Sequence, residues 1–243
     1  MSSLKEIPQE ILKLPTYRLD IPEGYSNSND FRLVVREDTN EIVALVSSKY
    51  LLIQPRLIFA KVYEQATKMG SIKKLLVYYT SAKQYMELLF AESLEAKDSR
   101  YFWGIRAINS VDGSRIFTVH FILWRLSCRN DLFLMGGLGV MHISSNKLKV
   151  SNFIVNLPRM DKPYLEKLIE VNEEDILTRR SARRIFKDFP RYIIAPARRV
   201  LDKEGELSRW ELINLLSRQI TDIMKPMKRA NLLEKLSKHI IYP

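Results

Sequence analysis

The sequence predicts an α+β protein: an antiparallel sheet laid out as hairpin, helix and meander, followed by a basic C-terminal helical region. Three observations carry that prediction. Runs rich in β-branched and aromatic residues recur from Phe31 to Arg125. A single helical pattern, opened by Pro55 and closed by Gly70, interrupts them. After Ser151 the texture changes, and from Leu165 onward the chain reads as charged, amphipathic helix.

The elements follow in order. Residues 1–30 are punctuated by Pro and Ser and read as an N-terminal arm, with a short helix at Ile11, Leu12 and Leu14 ended by Pro15. Phe31 to Arg36 and Glu41 to Ser47 flank the polar break Glu37-Asp38-Thr39-Asn40, which makes a hairpin. In the helix after Pro55, Ile58, Val62, Ala66 and Met69 fall on one face. Strands are expected at Leu75 to Tyr79, Tyr85 to Ala91 and Tyr101 to Asn109. The last is hairpinned through Asp112-Gly113 to a long strand, Arg115 to Arg125. Phe153 to Leu157 is a final apolar piece, and Pro158 and Pro163 mark a boundary. The core domain is therefore 31–157, and 158–243 is a basic helical region packed on it. Leu207 to Met224 is amphipathic, with Leu212, Leu215, Leu216 and Ile220 on one face. Ser208 is its N-cap, with Glu211 completing a capping box. A short helix from Ala230 to Ile241 ends the chain. No internal repeat is evident.

One stretch stands apart, from Ser110 to Lys149. It opens on the turn Asp112-Gly113-Ser114 and runs through the long strand. It then turns polar at Leu126-Ser127-Cys128-Arg129-Asn130-Asp131 and continues to Met141-His142-Ile143-Ser144. Asp-Gly-Ser, a strand ending in Arg-x-x-Cys-Arg-Asn and a downstream His-x-Ser resemble a family of phage- and plasmid-borne proteins known as a domain of unknown function. Val46 to Tyr50 with Ile53-Gln54, and Trp210 to Asn214, continue the resemblance at either end. Asp131 stands where that family usually has Thr. The order of hairpin, helix and meander is also similar to the core of the ring-forming single-strand annealing recombinases. That resemblance implies strand annealing without catalysis, by a homo-oligomer whose subunits extend one groove.

Composition narrows the partner. The formal charge is +11, from 39 Lys+Arg against 28 Asp+Glu. Such an excess favours an anionic partner, nucleic acid before membrane. The one cysteine, Cys128, excludes an intramolecular disulfide and a cysteine-based metal cluster. No apolar run approaches the roughly 20 residues of a membrane helix, and the N-terminus does not read as a signal peptide, so a cytoplasmic protein is expected. The three histidines, His120, His142 and His239, lack HxH or HExxH spacing. Neither a metal site nor a nucleotide-binding glycine loop is recognisable, so no cofactor is expected. Acids such as Glu87, Glu92, Asp112 and Asp131 are scattered rather than paired for a metal-dependent nuclease.

Three candidate sites remain. From Thr178 to Val200, Arg179, Arg180, Arg183, Arg184, Lys187, Arg191, Arg198 and Arg199 face a single acid, Asp188. A helix would align Arg180, Arg183, Arg184 and Lys187, with Phe186, Phe189 and Tyr192 interleaved. Cations with aromatics are the recipe for single-stranded nucleic-acid binding; the competing reading is a solvated face whose aromatics pack inward. The second site is Arg125, Arg129 and Asn130 at the end of the long strand, against a plain structural turn. The third is His142 with Lys147 and Lys149, whose alternation suits an anionic backbone. The expected function is single-stranded DNA binding and annealing by a virus or plasmid protein, with duplex DNA or RNA as the other nucleic-acid partners. The alternatives are a factor acting on a host protein, or an enzyme with a nonstandard site between Arg125 and His142.

Overall fold

The structure, a computed structural model, describes residues 7–22, 30–96, 99–125, 130–140 and 162–241, with 130–140 as backbone. It is α+β, with antiparallel pairing and basic C-terminal helices. The chain divides into two compact units. One comprises Met1–Ala91, Ile105–His120 and Gly136–Pro158; the other comprises Glu92–Gly104, Phe121–Met135 and Arg159–Pro243.

The first unit opens with α1 (Gln9–Leu12) and a three-stranded sheet, β1 (Tyr17–Asp20), β2 (Phe31–Arg36) and β3 (Ile42–Ser47), in that order. The hairpin β2–β3 is the expected one. Its turn holds Asn40 at φ 52°, a left-handed conformation that asparagine tolerates better than most residues. Strand β1 lies in the stretch read as an arm. Its four residues, Tyr-Arg-Leu-Asp, carry too little apolar pattern to announce a strand, and pairing with β2 supplies the order. Gln54 reinforces it: its Oε1 accepts from the Tyr17 amide at 3.1 Å and its Nε2 donates to the Tyr17 carbonyl, so one side chain pairs with the backbone as a neighbouring strand would. Tyr17 is buried with Val34, Val46 and Val111, and its hydroxyl donates to the Ser81 carbonyl at 2.8 Å. Gln84 and Asn109 extend this buried polar chain, Asn109 Nδ2 donating to Gln84 Oε1 at 3.0 Å.

Helix α2 (Pro55–Met69) starts at the proline and buries Ile58, Phe59, Val62 and Ala66. At Gly70 an added Cβ would meet Phe90 Cδ1 at 3.3 Å, so the Phe90 ring would have to give by a few tenths of an ångström to admit a larger residue. The five-stranded sheet runs in the order β4 (Ile72–Tyr79), β5 (Lys83–Ala96), β6 (Ser99–Ser110), β7 (Phe117–Arg125), β8 (Asn130–Val140). The turn at Asp112-Gly113-Ser114 is present, with Gly113 at φ 72° and the Ser114 amide donating to the Asp112 carboxylate at 3.0 Å. Ser110 closes it, its hydroxyl donating to the Arg115 carbonyl and accepting from the Arg115 amide.

Strands β5 and β6 outrun their apolar cores because backbone pairing does not require apolar side chains. In the second unit Arg100 bonds Glu95 at 2.8 Å across the polar end of this hairpin. Trp103 and Phe121 pack there with ring centroids 6.5 Å apart.

The rest of the second unit contains a repeat that the sequence does not announce. Helix α3 (Lys162–Glu174), strand β9 (Ile176–Thr178) and helix α4 (Arg179–Phe186) are followed by helix α5 (Arg191–Glu204), strand β10 (Glu206–Ser208) and helix α6 (Arg209–Ile223). The two short strands pair antiparallel with Leu177 opposite Leu207, both buried. Each strand ends in a hydroxyl residue that caps the next helix. Thr178 and Ser181 form a reciprocal capping box, and Ser208 accepts from the Glu211 amide at 3.1 Å. The arginine after each cap crosses to the other repeat. Arg209 Nε donates to Asp175 Oδ2 at 2.6 Å, and Arg179 Nη2 pairs with Asp202 Oδ1 at 2.9 Å. The correspondence reduces to Ile-Leu-Thr-Arg against Glu-Leu-Ser-Arg, too little to stand out in the chain. Helix α7 (Pro226–Ser237) follows, and buried Asn172 on α3 holds the chain beyond it, donating to the Ile241 carbonyl at 2.7 Å and accepting from the Ile241 amide at 2.9 Å.

Candidate nucleic-acid interface

Helix α4 has the sequence Arg-Arg-Ser-Ala-Arg-Arg-Ile-Phe. Ala182, Ile185 and Phe186 are its buried stripe, and Phe189 just beyond continues it. With four apolar positions committed inward, the cations must face out. Arg180, Arg183, Arg184 and Lys187 are exposed and line one concavity together with Thr178 and Ser181. The alignment expected from their spacing is therefore present.

Among the described residues, Arg180, Arg183, Arg184 and Lys187 have no carboxylate within ion-pairing distance. The nearby acids are engaged elsewhere. Asp188 Oδ2 lies 2.8 Å from His239 Nε2, and Asp202 holds Arg179. Other helices of this unit do use surface pairs, Lys167–Glu170 at 3.3 Å and Arg218–Asp222 at 3.8 Å. Arg179, grouped with the cluster on sequence, is turned toward α5: its Nε donates to the Leu201 carbonyl and its Nη2 to the Asp202 carbonyl.

The aromatic part of the expected recipe is corrected. Phe186 is 7% and Phe189 6% exposed, so neither presents a face to a base; Tyr192, 53% exposed, does. The stripe Ala182, Ile185, Phe186, Phe189, spaced three, one and three, was the signal for this inward packing.

The remaining expected residues are not placed. Arg125 ends β7 and Asn130 opens β8, but their side chains, and Arg129, His142, Lys147 and Lys149 altogether, lie outside the described residues.

Sequence reasoning missed a buried charge cluster in the first unit. Arg106 is fully buried and donates to Glu87 Oε2 from Nε at 3.0 Å and from Nη2 at 2.7 Å. The Tyr85 hydroxyl donates to the same carboxylate oxygen, and the Arg106 guanidinium lies over the Tyr85 ring, 5.5 Å from its centroid. His120 is also buried; desolvation, then the positive charges of Arg106 and Arg115, push its pKa down to about 4, so it is neutral at pH 7. The signal was a lone charge of each sign in two apolar strands, Tyr-Met-Glu-Leu-Leu and Gly-Ile-Arg-Ala-Ile. A buried charge needs a partner, and each is the other's. Among the described residues no group of three or more His, Cys, Asp or Glu could hold a metal ion, and no helix is long and apolar enough to cross a membrane.

Compared with known proteins, the chain matches no family model, no curated protein and no solved structure.

Proposed function

We propose that the protein binds nucleic acid, holding single-stranded DNA by its phosphates on the exposed face of α4, and that it acts by binding and presenting strands for annealing rather than by catalysis. The observation that carries this reading is the row of four cations, Arg180, Arg183, Arg184 and Lys187, on one concave face, with no carboxylate partner among the described residues. Phosphates spaced along a strand would supply the missing counter-charges, and binding would release condensed counterions. The net charge of +11 favours encounter with any polyanion. The choice of single strand over duplex rests on exposed Tyr192, since base stacking requires an accessible ring. The annealing step and a viral or plasmid setting rest on the resemblances in the sequence.

The test is binding of a fluorescent single-stranded oligonucleotide across a salt series, beside a duplex of equal length. Tighter binding of the single strand, weakening steeply with salt, supports the reading, and a strand-annealing assay follows from it. Equal affinity for duplex keeps the phosphate contacts and removes the single-strand preference. Absence of binding at low salt removes nucleic acid as the partner.

A further inference from the structure

Arg183 also lines a second, smaller concavity, between α4 and α5. This cleft, about 250 Å³, is bounded by Arg179, Arg183, Phe186, Arg198, Leu201 and Asp202. Two of its three arginines are held in place. Arg179 uses Nε and Nη2 on the Leu201 and Asp202 carbonyls and on the Asp202 carboxylate, leaving the donors of Nη1. Arg198 lies over the Phe186 ring, 5.8 Å from its centroid, and its guanidinium has no hydrogen-bond acceptor among the described residues. Asp202 neutralises Arg179, so among the described residues Arg183 and Arg198 leave the cleft with two unmatched positive charges. A guanidinium fork suits the oxygens of a phosphoryl group.

Charge and size select the ligand. A backbone phosphodiester brings one negative charge; a phosphomonoester brings between one and a half and two at neutral pH. The cleft is smaller than the roughly 300–1,000 Å³ of a small-molecule pocket, so it suits a compact anion rather than a whole nucleotide. We propose that the cleft between α4 and α5 receives a phosphomonoester, the terminal phosphate of a bound strand. This deepens the nucleic-acid reading and rests on it: the strand end sits in the cleft, and the chain continues past Arg183 onto the α4 face.

The experiment compares one single-stranded oligonucleotide with a 5′-phosphate, a 3′-phosphate or hydroxyl ends, at fixed ionic strength. Wild-type protein is expected to bind at least one phosphorylated form about tenfold more tightly than the hydroxyl form, a preference worth about 1.4 kcal/mol. Arg198→Gln should erase that preference to within about twofold of unity, a residual preference below about 0.4 kcal/mol. Arg199→Gln, on the same helix and also exposed but outside the cleft, should keep it. Matching melting temperatures of the two variants separate a local effect from misfolding. Equal affinity for all three ends in the wild type, or equal loss in both variants, overturns the proposal while leaving nucleic-acid binding intact. Failure of every oligonucleotide to bind overturns both readings.

Discussion

Arg106 and Arg183 bring the same side chain into opposite settings. Arg106 is fully buried, and the Glu87 carboxylate and the Tyr85 ring both face its charge. Arg183 is exposed, stands among three further cations and meets no carboxylate among the described residues. Burial forces the first arrangement, because an unpaired charge in the interior costs several kcal/mol. Water permits the second at little cost, so exposure alone does not explain it. The informative fact is that α4 lacks the i,i+4 pair that Arg218–Asp222 places on α6. The difference teaches which charges the fold itself must match and which it leaves in water, where the proposed ligand would meet them. Stability measurements should therefore respond to the first region and binding measurements to the second.

The largest expected effect on stability comes from breaking the buried pair. Arg106→Ala or Glu87→Ala should each cost about 3–5 kcal/mol, read from urea unfolding, because the surviving partner keeps its charge in the interior. Replacing both at once, Glu87→Leu with Arg106→Met, should recover most of that loss. A single substitution costing under about 1 kcal/mol would show that water reaches the pair, and the contrast with Arg183 would fail.

His120 extends the same contrast to pH. Its pKa falls from 6.5 to about 4 in the folded protein. Between those values the unfolded chain binds more protons than the folded one, so stability declines as pH drops from about 6.5 toward 4. The decline attributable to this residue is roughly 3 kcal/mol. The difference between wild type and His120→Gln isolates it from the carboxylates, which titrate in both. Parallel pH profiles for the two proteins would mean that His120 is not desolvated.

The helix caps come next. Thr178→Ala and Ser208→Ala should each cost about 1 kcal/mol. Thr178 should cost the less, because its hydroxyl accepts from the Ser181 amide at 3.5 Å against 3.1 Å at Ser208, and the bond from the Thr178 amide to Ser181 Oγ survives the change. A cap in the basic segment would then matter more to its shape than any of its arginines does.

How far this was legible in the sequence follows from the range of the interactions. Helix α2 was readable because Pro55 and Gly70 punctuate a single apolar face, and the β2–β3 hairpin because its turn is local. Strand β1 was not, because its order comes from β2 and from the side chain of Gln54, 37 residues away. The helix–strand–helix repeat was hidden for a similar reason: its strands are three residues long, and its symmetry lies in cross-repeat bonds from Arg179 and Arg209. At the candidate site the row of cations was legible from spacing alone. The inward turn of Phe186 and Phe189 was equally available, but the same residues fitted a stacking role as well as a core role. The cleft around Arg198 needed the packing of α5 against α4, which no spacing encodes.

The smallest expected effect on stability is also the sharpest test of the comparison. Replacing Arg180, Arg183, Arg184 and Lys187 together by Ala removes four exposed side chains without ion-pair partners among the described residues. Surface changes of this kind usually stay within about 0.5 kcal/mol each. Here the loss of mutual repulsion and the high helix propensity of Ala both favour the folded state. Unfolding should therefore occur at the same urea concentration as in wild type or slightly above it. Oligonucleotide binding should respond in the opposite sense. Each phosphate contact on a single strand contributes about 0.7 to the slope of log affinity against log salt. Losing four should flatten that slope by about 3, with the deficit in affinity greatest at low salt. A stable variant with an unchanged slope would place the phosphates elsewhere on this basic chain, and the unmatched face of α4 would be a solvated surface and no more.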